Sequence, residues 1–303
     1  MQVYFYRMAQ VSIIIPTLFP PPHLLAYAEK IKRYSGVREV TIVINDVLSV
    51  LASAENSTVK VIALGQNKGF TGACNAGARA STGDMLLFLN DDCEMDEENF
   101  MILVDFLEKN PTFAATQPIV FKESKEQSTQ SKVHKAEYIK QRTQNKLHLE
   151  DEVIENVGFT VDARVGKAHA VQDVAVFQDK QFLENNLYGL SGTCLLIRAE
   201  IFRKVGMWDE SFHSYLEDVD LSLRMRKFHY ECAPCLTASV THAHMGTSRR
   251  MGMYKPMQDM KNWWRLIVKH PQIFVHMNSL IPLLLERGKN VNGIIKKSLV
   301  PRA

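Results

Sequence analysis

The chain has 303 residues, of which 46% are hydrophobic, and a formal net charge of +3, as is typical of a globular protein with an ample core. No segment approaches the ~20 uninterrupted apolar residues of a membrane-spanning helix, and residues 1–10 lack a basic stretch followed by an apolar one. We therefore expect no signal peptide and no membrane span, and predict a cytoplasmic protein. The five cysteines argue for reduced thiols rather than a disulfide framework, because their number is odd. Cys232 and Cys235 form a lone C-x-x-C pair, interpreted as two buried thiols because zinc would need a second pair of ligands.

The first third of the chain alternates β-like and helical runs. Strand-like runs without strict alternation, such as residues 11–15 and 40–44, favour a mostly parallel sheet that is buried on both faces. Such sheets bind ligands at the carboxyl ends of their strands, so the residues that follow each run are candidates for binding. In chain order the predicted elements are strand 11–15, helix 24–34, strand 39–44, strand 59–64, helix 72–80, strand 85–89, helix 100–109, and a polar loop or solvated helix over 122–150.

Two stretches of this first third have residues suited to phosphate or metal binding. Asn90, Asp91 and Asp92 follow the apolar run 85–89; a solvated turn is the common explanation, and a divalent-metal site is the alternative. Residues 65–77 lead from a strand into a small-residue helix whose N–H groups could receive an anion. Their glycine spacing fits neither a dinucleotide fingerprint nor a P-loop, and a tight turn also explains them.

The second half of the chain has an acidic segment and a histidine pair. Residues 215–226 predict a helix whose first turn contains Glu217 and Asp218, where carboxylates suit the positive end of the helix dipole. Asp220 and Arg224 are spaced to pair on its surface. His242 and His244 follow a strand and share one face, so they are either structural residues or metal ligands.

The C-terminal segment 249–303 is strongly basic. It contains 11 Lys and Arg residues against Asp259 and Glu286, a charge of +9 that leaves about −6 for the rest of the chain. Because it also contains tryptophans and a leucine-rich run, two interpretations remain open: contact with an anionic membrane face, or a helix packed on the body. No nucleic-acid-binding motif accompanies these residues, so we expect no nucleic-acid partner.

The order of these motifs resembles a known family. Three segments, VSIIIPT (11–17), NKGFTGACNAG (67–77) and LFLNDD (87–92), resemble the nucleotide-sugar half of family 2 glycosyltransferases. The segments LSGTCLLIR (190–198), VGMWDE (205–210) and YLEDVDL (215–221) resemble the acceptor half of its rhamnosyltransferase-like branch. Residues 242–248 and the pair Lys261-Asn262 lie where that branch has a histidine motif and a Lys/Arg-Asn helix, so the resemblance spans roughly residues 10–270.

The resemblance implies an α/β protein with the GT-A fold, a mostly parallel central sheet flanked by helices and followed by a C-terminal helical tail. It predicts a glycosyltransferase domain over residues 1–248 and a basic amphipathic helical tail over 249–303. Within the domain, the expected parts are a nucleotide-binding half over about 1–115, a polar loop over about 122–150 and an acceptor half over about 151–248.

The resemblance also implies an activity: inverting transfer of a sugar from a nucleoside-diphosphate sugar, such as dTDP-rhamnose or a UDP-sugar, to a hydroxyl of a glycan or lipid-linked saccharide. A divalent cation, Mg²⁺ or Mn²⁺, would assist. Asp92 is the main predicted metal ligand, with Asp91 secondary, and His242 is preferred over His244 as the ligand that completes the shell. Asp218 is the predicted catalytic base, and Glu217 is predicted to orient the acceptor. The residues predicted to bind the nucleotide sugar are Pro16, Thr17, Asn45, Asp46, Asn67, Gly69, Asn75, Asn90, Asp91 and Gly192.

The sequence departs from the family pattern at two of these places. Asn90 stands where the family has the first Asp of its D-x-D motif, and residues 45–49 keep only part of the polar segment usual after the second strand. These departures motivate an alternative, a catalytically degenerate member that binds a glycan or a membrane surface. A nucleotidyltransferase is a second rival, but residues 16–22 lack the Gly-rich basic loop that it would need.

Overall fold

The computed structural model describes residues 8–46, 57–123, 153–179, 181–243, 254–274, 281–282, 284–286 and 288–289. His244 and nearly all of the predicted polar loop lie outside these described residues. The strands are β1 Val11–Thr17, β2 Val37–Ile44, β3 Lys60–Ala63, β4 Met85–Leu89, β5 Cys93–Glu94, β6 Phe113–Lys122, β7 Ile154–Asn156, β8 Phe159–Asp162, β9 Lys167–Ala170, β10 Leu187–Gly189, β11 Cys194–Arg198 and β12 Glu231–His242.

The α-helices are α1 Leu24–Ile31, α2 Gly69–Arg79, α3 Glu97–Lys109, α4 Phe182–Asn185, α5 Ala199–Lys204, α6 Glu217–Lys227, α7 Tyr254–Lys269 and α8 Pro271–Phe274. Two short 3₁₀ helices span Val174–Gln178 and Glu210–Phe212. The seven elements predicted in the first third are all present, with ends that differ by up to three residues.

The large sheet has the strand order β3-β2-β1-β4-β11-β6-β12-β5, with β7 paired to β6, and a small sheet has the order β10-β8-β9. In the large sheet β1, β2, β3, β4, β6 and β12 share one direction, and β11, β5 and β7 oppose them. The predicted α/β architecture with a mostly parallel sheet is therefore confirmed.

Two strand pairings bring later parts of the chain to the carboxyl edge of β4. Because β11 is antiparallel to β4, with Leu195 opposite Phe88, its first residues lie beside the end of β4, and the Asn90 N–H donates to the Thr193 carbonyl at 3.0 Å. Because β12 pairs with β5, His242 lies opposite Cys93. Residues far apart in sequence therefore meet at this edge.

Helices cover both faces of the sheet. In α3, Phe100, Leu103, Val104 and Leu107 are buried at helical spacing, and the Asp96 side chain caps the helix by accepting from the Asn99 N–H. On the other face, α2 packs so closely that a Cβ at Gly77 would lie 2.5 Å from Ile14 Cγ2. The small residues of α2 are thus explained partly by packing.

The helix α7 packs on the body of the protein. Trp263, Leu266 and Ile267 are buried in a cluster with residues of α6 and with Phe274. This face of the predicted tail therefore serves packing, whereas Trp264 and Val268 on the other face are 43% and 77% exposed. The pairing of Asp220 with Arg224 is present, with Arg224 Nε 2.8 Å from Asp220 Oδ2. It is buried rather than on the surface, because Lys269 and His270 at the end of α7 also contact Asp220.

Candidate active site

A cleft of about 820 Å³ opens at the carboxyl edge of the large sheet. Its walls come from the ends of β1, β2 and β4, the loop just before β11, the end of β12 and the N-terminal turns of α6 and α7. The cleft therefore lies where a parallel sheet binds its ligands. The predicted site residues that line it are Pro16, Thr17, Asn45, Asn67, Gly69, Asn90, Asp91, Asp92, Gly192, Glu217, Asp218 and His242.

The acidic tip of β4 is tied to β1. Thr17 Oγ1 donates to Asp91 Oδ2 at 2.5 Å. Burial raises the pKa of Asp91 to about 6, and the neighbouring charge of Asp92 adds to this, while the bond from Thr17 opposes it. The carboxyl group of Asp91 therefore ionises less readily than usual, and its Oδ2 already accepts a hydrogen bond from Thr17.

Asp92 faces the histidine at the end of β12. His242 Nε2 lies 3.1 Å from Asp92 Oδ1, and His242 Nδ1 lies 2.8 Å from Glu155 Oε2. Burial favours the neutral imidazole, but the hydrogen bonds to the two carboxylates outweigh it and raise the pKa of His242 to about 9. Glu155 lies on β7. The sequence did not predict it as a site residue, because an isolated glutamate beside a polar segment belongs to no recognisable motif.

The donor set at this place suits a divalent cation. Ligand atoms of Asp92, Cys93 and His242 lie within 4.8 Å of one another. Burial raises the pKa of Cys93 well above its ordinary value, so its thiol is protonated and a poor ligand. Carboxylate and imidazole together suit Mn²⁺, and a bound cation would take the place of the proton on His242 Nε2. Glu155 would orient the imidazole as a second-layer partner.

The loop before α2 is held by amide side chains. Asn45 Oδ1 accepts from the Lys68 N–H at 2.7 Å, and Asn45 Nδ2 donates to the Gly69 carbonyl at 3.0 Å. Asn67 Oδ1 accepts from the Gly69 N–H at 2.9 Å. Gly69 has φ of +72°, and a Cβ there would lie 2.2 Å from the His213 carbonyl oxygen. These residues line the cleft, and three of their polar atoms fix its wall.

Two predicted nucleotide-binding residues are not part of the cleft wall. Asn75 is buried in α2, where Nδ2 donates to the Trp208 carbonyl at 2.8 Å and Oδ1 accepts from the Trp208 N–H at 3.1 Å. Its amide therefore joins the two halves of the domain instead of facing a ligand, because α2 turns it away from the strand ends. Asp46 follows Asn45 but is not among the residues that line the cleft.

In the same cleft as Asp92 and His242, α6 presents two carboxylates. Asp218 Oδ1 accepts from the Val219 N–H at 2.8 Å, and its Oδ2 accepts from the Gly192 N–H at 3.4 Å. Burial raises the pKa of Asp218 to about 6, against the lowering effect of these backbone donors. Gly192, two residues before β11, thus contacts the predicted base directly.

Glu217 is in a different environment. It is 8% exposed, and among the described residues no hydrogen-bond partner reaches its Oε2. Burial, and then the charge of Asp218, raise the pKa of Glu217 to about 8. The carboxyl of Glu217 therefore keeps its proton to higher pH than that of Asp218, an order that suits a hydrogen-bond donor beside a base.

The first two turns of α7 complete the wall with Tyr254, Lys255, Pro256 and Asp259. Lys255 Nζ lies 5.3 Å from the centre of the Tyr215 ring, and the Tyr254 hydroxyl hydrogen-bonds His213 Nδ1. The sequence analysis placed these residues in the tail, because no local sequence pattern indicates that the start of this helix lies against the cleft.

A model of glycosyl transferase family 2 matches residues 12–206, well over half of the chain. The chain belongs to glycosyl transferase family 2. Over 236 residues it is 22% identical to the low-salt glycan biosynthesis hexosyltransferase Agl10 of Haloferax volcanii, a match that covers 76% of this chain and 67% of that protein. Over 87 residues it is 31% identical to the N-acetylglucosaminyl-diphospho-decaprenol L-rhamnosyltransferase of Mycobacterium tuberculosis. This match covers 25% of this chain and 28% of that protein.

Among solved structures, the chain resembles GalNAc-T7, which was solved with UDP, GalNAc and Mn²⁺. The TM-score is 0.60 at 16% identity, and the match covers 95% of this chain and 55% of that chain. The chain therefore spans about half the length of this solved relative. At 16% identity this likeness establishes the fold alone. It confirms the predicted GT-A fold.

Proposed function

We propose that the protein is a metal-dependent inverting glycosyltransferase that moves a sugar from a nucleoside-diphosphate sugar to a hydroxyl of a glycan or lipid-linked saccharide. One observation carries this proposal: the pair Asp92 and His242 and the pair Glu217 and Asp218 line the same cleft. A sugar donor between them would have its diphosphate beside the first pair and its anomeric carbon open to the second.

In the proposed donor site, Thr17 and Asn67 stand at strand ends beside the nucleotide, and Asp92 and His242 would hold Mg²⁺ or Mn²⁺. When bound, the cation offsets the negative charge that grows on the leaving diphosphate. The relatives support dTDP-rhamnose or a UDP-sugar as donor, since one acts as an L-rhamnosyltransferase and a solved relative holds UDP.

In the proposed transfer, Asp218 accepts the proton of the acceptor hydroxyl as its oxygen bonds to the anomeric carbon. The bond from that carbon to the diphosphate breaks, its electron pair leaves with the nucleotide, and the configuration inverts. With a pKa of about 6, Asp218 is ionised at neutral pH and able to take the proton. Glu217, protonated there, would donate a hydrogen bond that orients the acceptor.

A single displacement needs no enzyme nucleophile. The five cysteines are free thiols, and burial raises the pKa of each of them. We accordingly give the cysteines no catalytic role, including the pair Cys232 and Cys235.

We further propose that the protein contacts an anionic membrane on its cytoplasmic side. Among the described residues no helix is long and apolar enough to cross a bilayer. The outward face of α7, however, exposes Met257, Trp264 and Val268 at helical spacing beside Lys261, within a segment of charge +9. An apolar stripe flanked by lysine suits the interface of an anionic bilayer, where a lipid-linked acceptor would lie.

Vesicle binding tests this contact. Sedimentation with phosphatidylglycerol vesicles at low salt should fall for a protein with both Trp264→Ser and Val268→Ser. Phe228→Ser, which removes an aromatic ring that is 48% exposed just after α6, should leave sedimentation unchanged. If the protein with both changes sediments as the wild type does, the face of α7 has no role in membrane binding.

The decisive experiment on function is calorimetric titration of UDP, dTDP, GDP and CMP into the protein, each with manganese and again with a chelator. One nucleotide should bind, and only with the metal. Asp92→Ala should abolish that binding, whereas Asp105→Ala, which changes an exposed carboxylate paired with Lys109, should not. Binding of no nucleotide would contradict the proposal and favour the degenerate alternative.

A further inference from the structure

The segment that leads into α6 has an unusual backbone. His213, Tyr215 and Leu216 have φ of +63°, +69° and +65°, in the left-handed region that residues with a side chain rarely adopt. Leu216 is the N-cap of α6 and makes no side-chain cap bond. The first turn of α6, which carries Glu217 and Asp218, therefore depends on tertiary contacts to hold its entry geometry.

One side chain meets this segment directly. Asn262, fully buried on α7, donates from Nδ2 to the carbonyls of Phe212, Ser214 and Tyr215, each at 2.8 Å. An amide nitrogen has two hydrogens, so three carbonyls share them. These three carbonyls belong to residues within or next to the left-handed stretch.

A neighbour fixes which way the amide points. Arg265, one turn further along α7, donates from Nη1 to Asn262 Oδ1 at 2.7 Å. A guanidinium only donates, so the atom that it contacts must be the amide oxygen, and the nitrogen must face the carbonyls. The orientation of Asn262 is thus determined by contacts on both of its ends.

We propose that Asn262 is a positioning residue, which sets the place of Asp218 and Glu217 by holding the carbonyls of residues 212–215. The proposal rests on the proposed function for its catalytic consequence. Asn262 acts through the loop, since its own amide contacts the backbone of residues 212, 214 and 215. The apolar residues around it fix α7 on the body, but they lack the directional bonds that select this backbone geometry.

Two substitutions separate positioning from general stability. Asn262→Asp keeps the size of the side chain and replaces the donor with a carboxylate that the three carbonyls repel. Leu266→Ala removes fully buried packing from the same helix and the same cluster but leaves the three hydrogen bonds in place. Urea unfolding of both proteins establishes how much global stability each has lost.

The first readout needs no substrate. Amide hydrogen exchange of the peptide covering residues 212–219 should quicken at least tenfold in Asn262→Asp relative to Leu266→Ala, after correction for global stability. The second readout is kinetic: manganese-dependent nucleotide affinity should stay within twofold of the wild type, while the transfer rate should fall at least tenfold in Asn262→Asp alone.

Equal exchange and equal transfer in the two proteins would overturn the proposal. If Asn262→Asp does not fold, Arg265→Met takes its place, because it frees the amide to turn without removing the donor and should give a smaller effect of the same kind. If the wild type itself transfers no sugar, the proposed function fails, and the exchange comparison still decides whether Asn262 holds the loop.

Discussion

Glu217→Gln is the sharpest test of the charge state assigned to the site. The native carboxyl has a pKa of about 8, raised by burial and by Asp218 from an ordinary value of 4.5. Glutamine has nearly the same shape and never ionises. The substitution should therefore imitate the protonated glutamate that we expect at neutral pH.

The sign of the stability effect follows from proton binding. Between pH 4.5 and 8 an unfolded chain loses the Glu217 proton while the native protein keeps it, so the free energy of unfolding falls as pH rises. Each pH unit in this range contributes about 1.4 kcal/mol, which makes the penalty about 3 kcal/mol at pH 7. Glu217→Gln removes this pH-dependent penalty. The free energy of unfolding of the variant should therefore exceed that of the wild type by an amount that grows from near zero at pH 4.5 to about 3 kcal/mol at pH 7.

Urea unfolding at pH 5, 6, 7 and 8 measures the difference. Glu98→Gln, a change to an exposed carboxyl in the first turn of α3, should follow the pH dependence of the wild type. Transfer by Glu217→Gln at pH 7 should stay within about tenfold of the wild type, because a hydrogen-bond donor is retained. A pH dependence of stability identical to that of the wild type would refute a neutral Glu217.

Three further substitutions test separate parts of the site. Asp218→Asn should leave metal-dependent nucleotide binding intact and lower transfer by about 10²–10⁴-fold; full transfer would exclude Asp218 as the base. Glu155→Gln should weaken manganese affinity by about 10–100-fold, because the carboxylate that orients His242 is lost, and an unchanged manganese titration would contradict that role. Gly69→Ala should destabilise the protein by about 1–3 kcal/mol in urea, since it places a Cβ against His213 at a positive φ, whereas an unchanged midpoint would show that the loop relaxes at little cost.

The sequence predicted the positions of the strand ends better than it predicted the hydrogen-bond partners of the polar side chains there. Apolar runs located β1, β2 and β4, and the residues that follow them do line the cleft. Hydrophobic patterning cannot say, however, which atoms a polar side chain will bond. Asn45 and Asn75 were both predicted to bind nucleotide, yet Asn45 holds a loop that lines the cleft and Asn75 joins α2 to residue 208.

Long-range pairing explains the residues that the sequence missed. Glu155 reaches His242 only because β7 pairs with β6 and β6 pairs with β12. Similarly, the periodicity of α7 showed that it was amphipathic, but not that its first turn would return to the cleft. In both cases the decisive contact joins elements that are far apart in the chain, and no local pattern encodes it.

The two sides of the cleft are held by separate supports. Asp92 and His242 meet through the pairing of β5 with β12, whereas Glu217 and Asp218 depend on the entry to α6 and on its contact with Asn262 of α7. Gly192 bridges the sides with one bond of 3.4 Å to Asp218. The first turn of α2 also contacts the entry to α6, where the Thr71 N–H donates to the His213 carbonyl at 3.2 Å. Because this contact involves neither Asp92 nor His242, a change confined to the α6 carboxylates should alter transfer while metal-dependent nucleotide binding persists. Loss of both functions together in Asp218→Asn would mean that the two sides form one cooperative unit, contrary to this division.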